Sequence, residues 1–294
     1  MTKALPLVLL IGMGALWGIT QPLSKIAVNA GHRDIGIIFW QFAIGAALLG
    51  VFSVIRRKPL PLHPRALAFY LLIAMIGTIL PNSASFTAAV HLPSGILSIV
   101  LATVPMFAFP IALAVGMDRF SALRLFGLLL GFTAIILIAL PGTSLPDPAM
   151  AIWLPVAVIA PFLYAVEGNI VAKWGTVGLD AVQVLFGSSV VGMILSAPLA
   201  VGTGEWISPF VPWDAGIWAI VGIAIAHTTA YTTYVWLVGR TGAVFASQVG
   251  YLVTGFGILW AKLILGESYS PWVWGALALM LLGVFLVQPR RISP

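Results

Sequence analysis

Glu167 is the residue with the most chemistry to offer. It stands in "YAVEGNIVAKWG" (164–175), a stretch with apolar flanks on both sides. A charged carboxylate facing lipid at the centre of a spanning helix costs roughly 2.5–3.5 kcal/mol or more. Glu167 must therefore face the protein interior or hold a proton. His227, in "AIAHTTAYTTY" (224–234), is its candidate partner, because histidine titrates near neutrality. Such a pair could bind a charged substrate group or couple transport to a proton. The same two residues could equally form a structural hydrogen bond between helices, or Glu167 could simply reach a wet vestibule. Lys173, six positions on, turns to a different face of the helix.

Around these groups lie neutral polar and aromatic side chains. Gln21, Asn82, Asn169 and Gln248 could fix a zwitterion without a permanent charge. Trp17, Tyr164, Tyr231 and Tyr251 lie too deep in their segments for a headgroup belt, and walls that are mostly apolar suit a small molecule with an apolar body. Lys25 and Lys262 stand near helix ends, where a lysine either snorkels to the interface or offers a positive lip to a carboxylate. The chain has no HExxH, no Gly-x-Ser-x-Gly, no cluster of carboxylates and no cysteine. No enzymatic chemistry, metal or cofactor is expected.

The composition says what must position these groups. Of 294 residues, 61% are hydrophobic and 7% charged, with a mean hydropathy of +1.10; a soluble domain carries about 25% charge. Lipid must cover most of the outside. The isoelectric point near 9.9 does not indicate nucleic acid, because the basic residues form no patch. Ten apolar segments are long enough to span: 5–30, 35–55, 66–90, 93–115, 121–140, 151–174, 180–201, 213–238, 242–265 and 271–288. The first is read as a retained helix rather than a cleaved signal. With the N-terminus cytoplasmic, Lys3, Arg56, Arg57, Lys58, Arg65, Arg119, Arg124, Lys173, Arg240, Arg290 and Arg291 fall inside, eleven of the fourteen Lys and Arg. That asymmetry predicts both termini inside.

The chain also repeats itself. Shifted by 148 residues, "LWGITQPLSKIA" (16–27) overlays "YAVEGNIVAKWG", with Lys25 on Lys173 and Gln21 on Asn169. Shifted by 149, "VGMDRFS" (115–121) meets "LGESYSP" (265–271), and "LLLGF" (128–132) echoes "MLLGV" (280–284). Halves 1–145 and 146–294 of five spans each must enter the membrane in opposite senses, the build of many secondary transporters with a midplane site. The fold expected is an all-α integral membrane protein of ten transmembrane helices in two inverted five-helix repeats. Pro105 and Pro110 in the fourth helix, and Gly250 and Gly255 in the ninth, are the expected gating hinges.

"GALWGITQPLSKIA" (14–27), "ALAVGMDRFS" and "KLILGESYS" after the fourth and ninth helices, and the paired endings "LRLFGLLLGFTAIIL" and "WVWGALALMLLGVFLV" resemble the drug/metabolite transporter superfamily, in particular its EamA-type exporters. The likeness covers nearly the whole chain, and among members it is most similar to bacterial amino acid exporters, including aromatic ones. It implies export across the cytoplasmic membrane from a cavity lined by helices 1, 3, 4, 6, 8 and 9 among others, with 5 and 10 peripheral. "GMD" stands where the family shows Gly-Glu, so the polar cap of the first half is expected to be weaker. The substrate expected is an amino acid with a hydrophobic or aromatic side chain, met by Trp17, Gln21, Asn82, Tyr164, Glu167, His227, Tyr231, Gln248 and Tyr251. An organic-anion or nucleotide-sugar carrier is the alternative, and it would want several cations at the cavity centre.

Overall fold

Apolar segments in lipid must satisfy every backbone polar group internally, and a helix does this within one segment. The computed structural model describes residues 5–139, 145–241 and 249–287, and among them it is helical with no strand. The helices are α1 (Leu5–Gly18), α2 (Thr20–Asn29), α3 (Asp34–Ile55), α4 (Pro64–Ala74), α5 (Leu80–His91), α6 (Ser94–Leu101), α7 (Val104–Ala114), α8 (Ala122–Ala139), α9 (Leu154–Trp174), α10 (Ala181–Gly202), α11 (Ala215–Thr241), α12 (Val249–Leu265) and α13 (Pro271–Val287). Joined end to end they give eight segments long and apolar enough to cross a membrane, and α12 and α13 are shorter apolar helices. Each lies within a few residues of an expected span.

Three spans are broken near their middles, and each break has a proline three or more residues behind it. Pro22 cannot donate to the Gly18 carbonyl, and the chain departs from helix between α1 and α2 at Ile19. The Thr20 hydroxyl donates to the Trp17 carbonyl at 2.6 Å in compensation. Pro81 cannot donate to Gly77, and Met75–Ile79 widens into a π-turn in which the Leu80 N–H reaches back to the Met75 carbonyl. Pro105 cannot donate to Leu101, and α6 ends in tighter bonds, with Ala102 N–H to Ile99 O at 3.1 Å and Thr103 N–H to Val100 O at 3.0 Å. Pro110 lies inside α7 without breaking it.

Packing sorts the helices into two groups with a pair between them. α1 packs on α11 and α12, while α9 packs on α5 and α7. α3 and α10 lie against each other, α3 also against α11 and α10 also against α4. α8 and α13 form a further pair on bare glycine faces. A Cβ on Gly127 would come 2.7 Å from the Gly283 carbonyl oxygen, and one on Gly283 2.6 Å from that of Gly127.

At the end of the bundle carrying 56–63, 115–121 and 175–180, Asp180 ties α10 to the end of α3. Its Oδ1 accepts from the Gln183 N–H at 3.0 Å, while the Gln183 side chain accepts from the Asp180 N–H at 3.1 Å, a reciprocal cap. Its Oδ2 accepts from Arg56 at 3.0 Å and Lys58 at 3.1 Å. Burial works to raise the pKa of this carboxyl, but the Gln183 N–H, Lys58 and Arg56 together outweigh it and hold the group below its ordinary value. A depressed carboxyl stabilises the fold above its ordinary pKa of about 3.9, and that stability is lost as pH falls through the folded value. Asp180→Ala should lower stability at pH 7 by about 1 kcal/mol from the cap alone. In detergent, the melting gap between variant and parent should narrow from pH 7 to pH 3.

Candidate functional site

The broken spans bring polar groups to the middle of the bundle. On α9, Tyr164 and Glu167 lie three residues apart and so share a face. The Tyr164 hydroxyl donates to Asn82 Oδ1 at 2.8 Å, and Asn82 Nδ2 donates to Gln41 Oε1 at 3.0 Å. One chain of hydrogen bonds thus links α9, α5 and α3. The Glu167 carboxylate lies against the π-turn: a Cβ on Gly77 would sit 2.7 Å from Glu167 Oε1 and 2.9 Å from Oε2. Only glycine at 77 lets the carboxylate approach the backbone this closely. Glu167 is half-buried, and among the described residues no lysine, arginine or histidine pairs with it.

Opposite, Trp17 Nε1–H donates to His227 Nδ1 at 3.3 Å. An indole N–H only donates, so in neutral His227 the proton sits on Nε2. The Trp17 ring lies 6.2 Å from those of His227 and Tyr231 and 5.7 Å from that of Tyr234. His227, though near the middle of α11, is exposed, because it faces an internal cavity. That cavity is bounded by α3, the π-turn and α5, α10 and α11, through Gln41, Thr78, Asn82, Ser188, His227 and Tyr231 among others. Among its described lining residues there is no lysine or arginine.

Of the expected site residues, Asn82, His227 and Tyr231 line this cavity, Trp17 and Tyr164 are hydrogen-bonded to His227 and Asn82 behind it, and Glu167 lies on the π-turn at Gly77. Glu167 and His227 share no hydrogen bond among the described residues; His227 accepts at Nδ1, from Trp17. Gln21 is half-buried on α2 and makes no side-chain hydrogen bond among the described residues. The Tyr251 hydroxyl is buried with no partner among the described residues, and Gln248 lies outside them. Asn169 is buried and donates to the Ala165 and Ala108 carbonyls at 2.8 and 3.2 Å, so it joins α9 to α7 rather than facing a ligand. A Cβ on Gly250 or Gly255 would meet nothing within 4 Å; the close approach on α12 is at Gly257, where a Cβ would lie 2.8 Å from Ser98 Cβ. Sequence reasoning missed Gln41, Ser188 and Ser189. The signal for them was an amide and hydroxyls near the middle of apolar spans. Among the described residues no group of three or more His, Asp or Glu could hold a metal.

The lysines of the expected lip do other work. Lys25 Nζ donates to the carbonyls of Ala89 at 2.6 Å and Val90 at 3.1 Å, capping the end of α5. Lys262 is exposed, its Nζ 5.6 Å from the centre of the Trp274 ring. Glu267 Oε1 accepts from the N–H and hydroxyl of Ser94 at 2.8 and 2.9 Å, and Oε2 accepts from Gly95 N–H at 3.1 Å and the Tyr269 hydroxyl at 2.6 Å. Burial, and then the neighbouring Glu267, push the Tyr269 phenol well above its ordinary pKa. Asp118, the counterpart in the repeat, pairs with Arg124.

A model of the EamA-like transporter family matches the chain twice, over residues 4–140 and 151–288. The "Uncharacterized inner membrane transporter YedA" of Escherichia coli K12 is 26% identical over 284 residues, which span 95% of this chain and 89% of that protein. The protein of the same name in Escherichia coli O157:H7 matches with the same values. A solved crystal structure of 16% identity has a TM-score of 0.63, over 97% of this chain and 98% of the other, a likeness of fold. With the family matched over nearly all of its length, the chain belongs to the EamA-like transporter family of the drug/metabolite transporter superfamily.

Proposed function

We propose that this protein is a secondary transporter that exports amino acids with hydrophobic or aromatic side chains across the inner membrane by alternating access. The observation that carries the substrate class is Glu167: a single carboxylate without a cationic partner among the described residues, held on Gly77 of the π-turn whose Thr78 lines the cavity, with Phe42 and Tyr231 in the cavity wall. It favours an ammonium-bearing ligand with an apolar body. An organic anion would call for lysine or arginine there, and the described lining has none. Glu167 and His227 are the titratable groups through which a proton could be exchanged for the substrate. The relative's name supports the inner membrane.

Ten spans in two inverted halves of five account for the double family match and for the pattern of packing. A two-fold exchange of halves turns the contacts of α1 with α12 and α11 into those of α9 with α7 and α5, and returns α8–α13 and α3–α10 to themselves. The lysine and arginine asymmetry places both termini in the cytoplasm. On that orientation α2 is joined to the end of α5, and the segment after α12 to the start of α6, at the outer end. Among the described residues the hydrogen bonds that join them are those of Lys25 with Ala89 and Val90 and of Glu267 with Ser94 and Gly95. Of the inner half-helices, α1 packs on α11 and α12 and α7 chiefly on α9. We take these bonds as an outer latch, with Pro105, Pro110, Gly250 and Gly255 as hinges.

Proteoliposomes preloaded with unlabelled phenylalanine, tryptophan or threonine should accumulate labelled phenylalanine, and those preloaded with glucose 6-phosphate should not. Accumulation only with the sugar phosphate would reverse the assignment. Glu167→Gln should cut this counterflow at least tenfold without lowering the amount of folded protein. The chain has no cysteine, so Ser189→Cys gives a single reporter in the cavity. Its labelling by an impermeant maleimide from outside should quicken several-fold when Lys25→Met and Glu267→Gln are added, and an unchanged rate would remove the latch. Gly255→Leu fits sterically, since a Cβ there meets nothing; it should reduce transport more than expression, and equal losses would argue against a hinge.

A further inference from the structure

We propose that Gln41 is the residue that recognises the substrate carboxylate, an inference that rests on the amino acid reading above. The chain Tyr164 O–H to Asn82 Oδ1, then Asn82 N–H to Gln41 Oε1, runs in one direction. Each amide accepts from the residue before it and donates onward. At Gln41 the chain ends, with Oε1 occupied and Nε2 making no hydrogen bond among the described residues. Gln41 is half-buried and lines the cavity, so its terminal amide presents N–H donors there.

Gly45, one turn further along α3, lets hydroxyls of the cavity wall come close to that helix, with Ser189 Oγ 3.2 Å and Thr228 Oγ1 3.5 Å from where its Cβ would be. Ser188 donates its hydroxyl to its own helix at Leu185 O, 3.1 Å away, and so offers acceptors to the cavity. The Gln41 amide is thus a donor suited to an anionic oxygen at this wall, beside the hydroxyls of Thr78, Ser189, Thr228 and Tyr231 and the His227 Nε2–H, while Glu167 supplies the anion that a substrate ammonium needs.

A neutral donor and one carboxylate suit a zwitterion. A free anion would gain no ion pair at Gln41 and would be repelled by Glu167. An amine without a carboxylate would meet Glu167 but leave the Gln41 N–H groups unpaired in a poorly hydrated place, a loss that discriminates strongly against ligands lacking the matching group. Tyr164 is on this account a positioning residue, because it holds Asn82 in the orientation that turns the Gln41 N–H groups outward.

The test is calorimetric binding of phenylalanine and phenylalaninamide to the purified full-length protein, comparing the parent with Gln41→Leu, Gln41→Met and Tyr164→Phe. The readout is the preference for the acid, the Kd of the amide divided by that of phenylalanine. In the parent it should exceed ten. Gln41→Leu and Gln41→Met should collapse it about tenfold by weakening phenylalanine, with the amide little changed, and Tyr164→Phe should lower it about threefold. A preference that survives in both Gln41 variants overturns the proposal, as does equal weakening of both ligands, which is the mark of a structural residue. A loss confined to the amide would mean that Gln41 faces the ammonium, and overturns it too. A parent that binds neither ligand refutes the amino acid reading instead.

Discussion

Everything at the centre of this bundle follows from the difficulty of placing a carboxylate among apolar helices. Lipid offers Glu167 no solvation, so the protein must face it inward and leave it accessible. The π-turn at Met75–Ile79 answers that need. Pro81 removes the N–H that would have kept α4 and α5 one regular helix, and Gly77 brings backbone rather than side chain against the carboxylate. A side chain at 77 would collide with it. The proline that would be a defect in a packing helix here accompanies the wide turn on which this acid rests.

The other two breaks belong to the same design. Ile19 separates α1 from α2 beside Trp17, and Ala102–Thr103 separate α6 from α7. Irregular backbone at membrane depth is tolerated where protein or a cavity surrounds it. Carbonyls next to two of the breaks also accept from hydroxyls, Trp17 from Thr20 and Val100 from Thr103. Breaking these spans in the middle also gives their halves different partners: α2 and α6 carry contacts across the bundle, while α1 packs on α11 and α12 and α7 chiefly on α9.

Charge is used at the helix ends as dipole compensation. Lys25 meets exposed carbonyls at the end of α5, Glu267 meets exposed N–H groups at the start of α6, and Asp180 does the same for α10. Of the two lysines of the expected positive lip, Lys25 is thereby taken up as a cap, and Lys262 stands exposed beside Trp274. Glu267, with Ser94, Gly95 and Tyr269 around it, explains why "KLILGESYS" carries an acid, and the shorter Asp118 instead pairs with Arg124 beside it.

That the apolar segments are helices was legible in the chain, because lipid admits few solutions to the backbone problem. Twenty or so apolar residues imply a helix, and loops such as 56–65 and 202–214 announce themselves by proline, charge and tryptophan. The deep Glu167, Trp17 and His227 were equally visible, since a polar side chain in an apolar run has few places to be. What the sequence could not say is which deep groups meet. Asn169 looked as good a ligand as Asn82, yet one is buried on carbonyls and the other lies mid-chain between Tyr164 and Gln41. Gln41 is an amide in an apolar run, but nothing beside it in the sequence says which helix it faces. Spacing along a helix determines which face a residue occupies, but only the packing of α3 against α10 and α11 decides what that face looks at, because contacts between helices depend on rotation and crossing that no local pattern records.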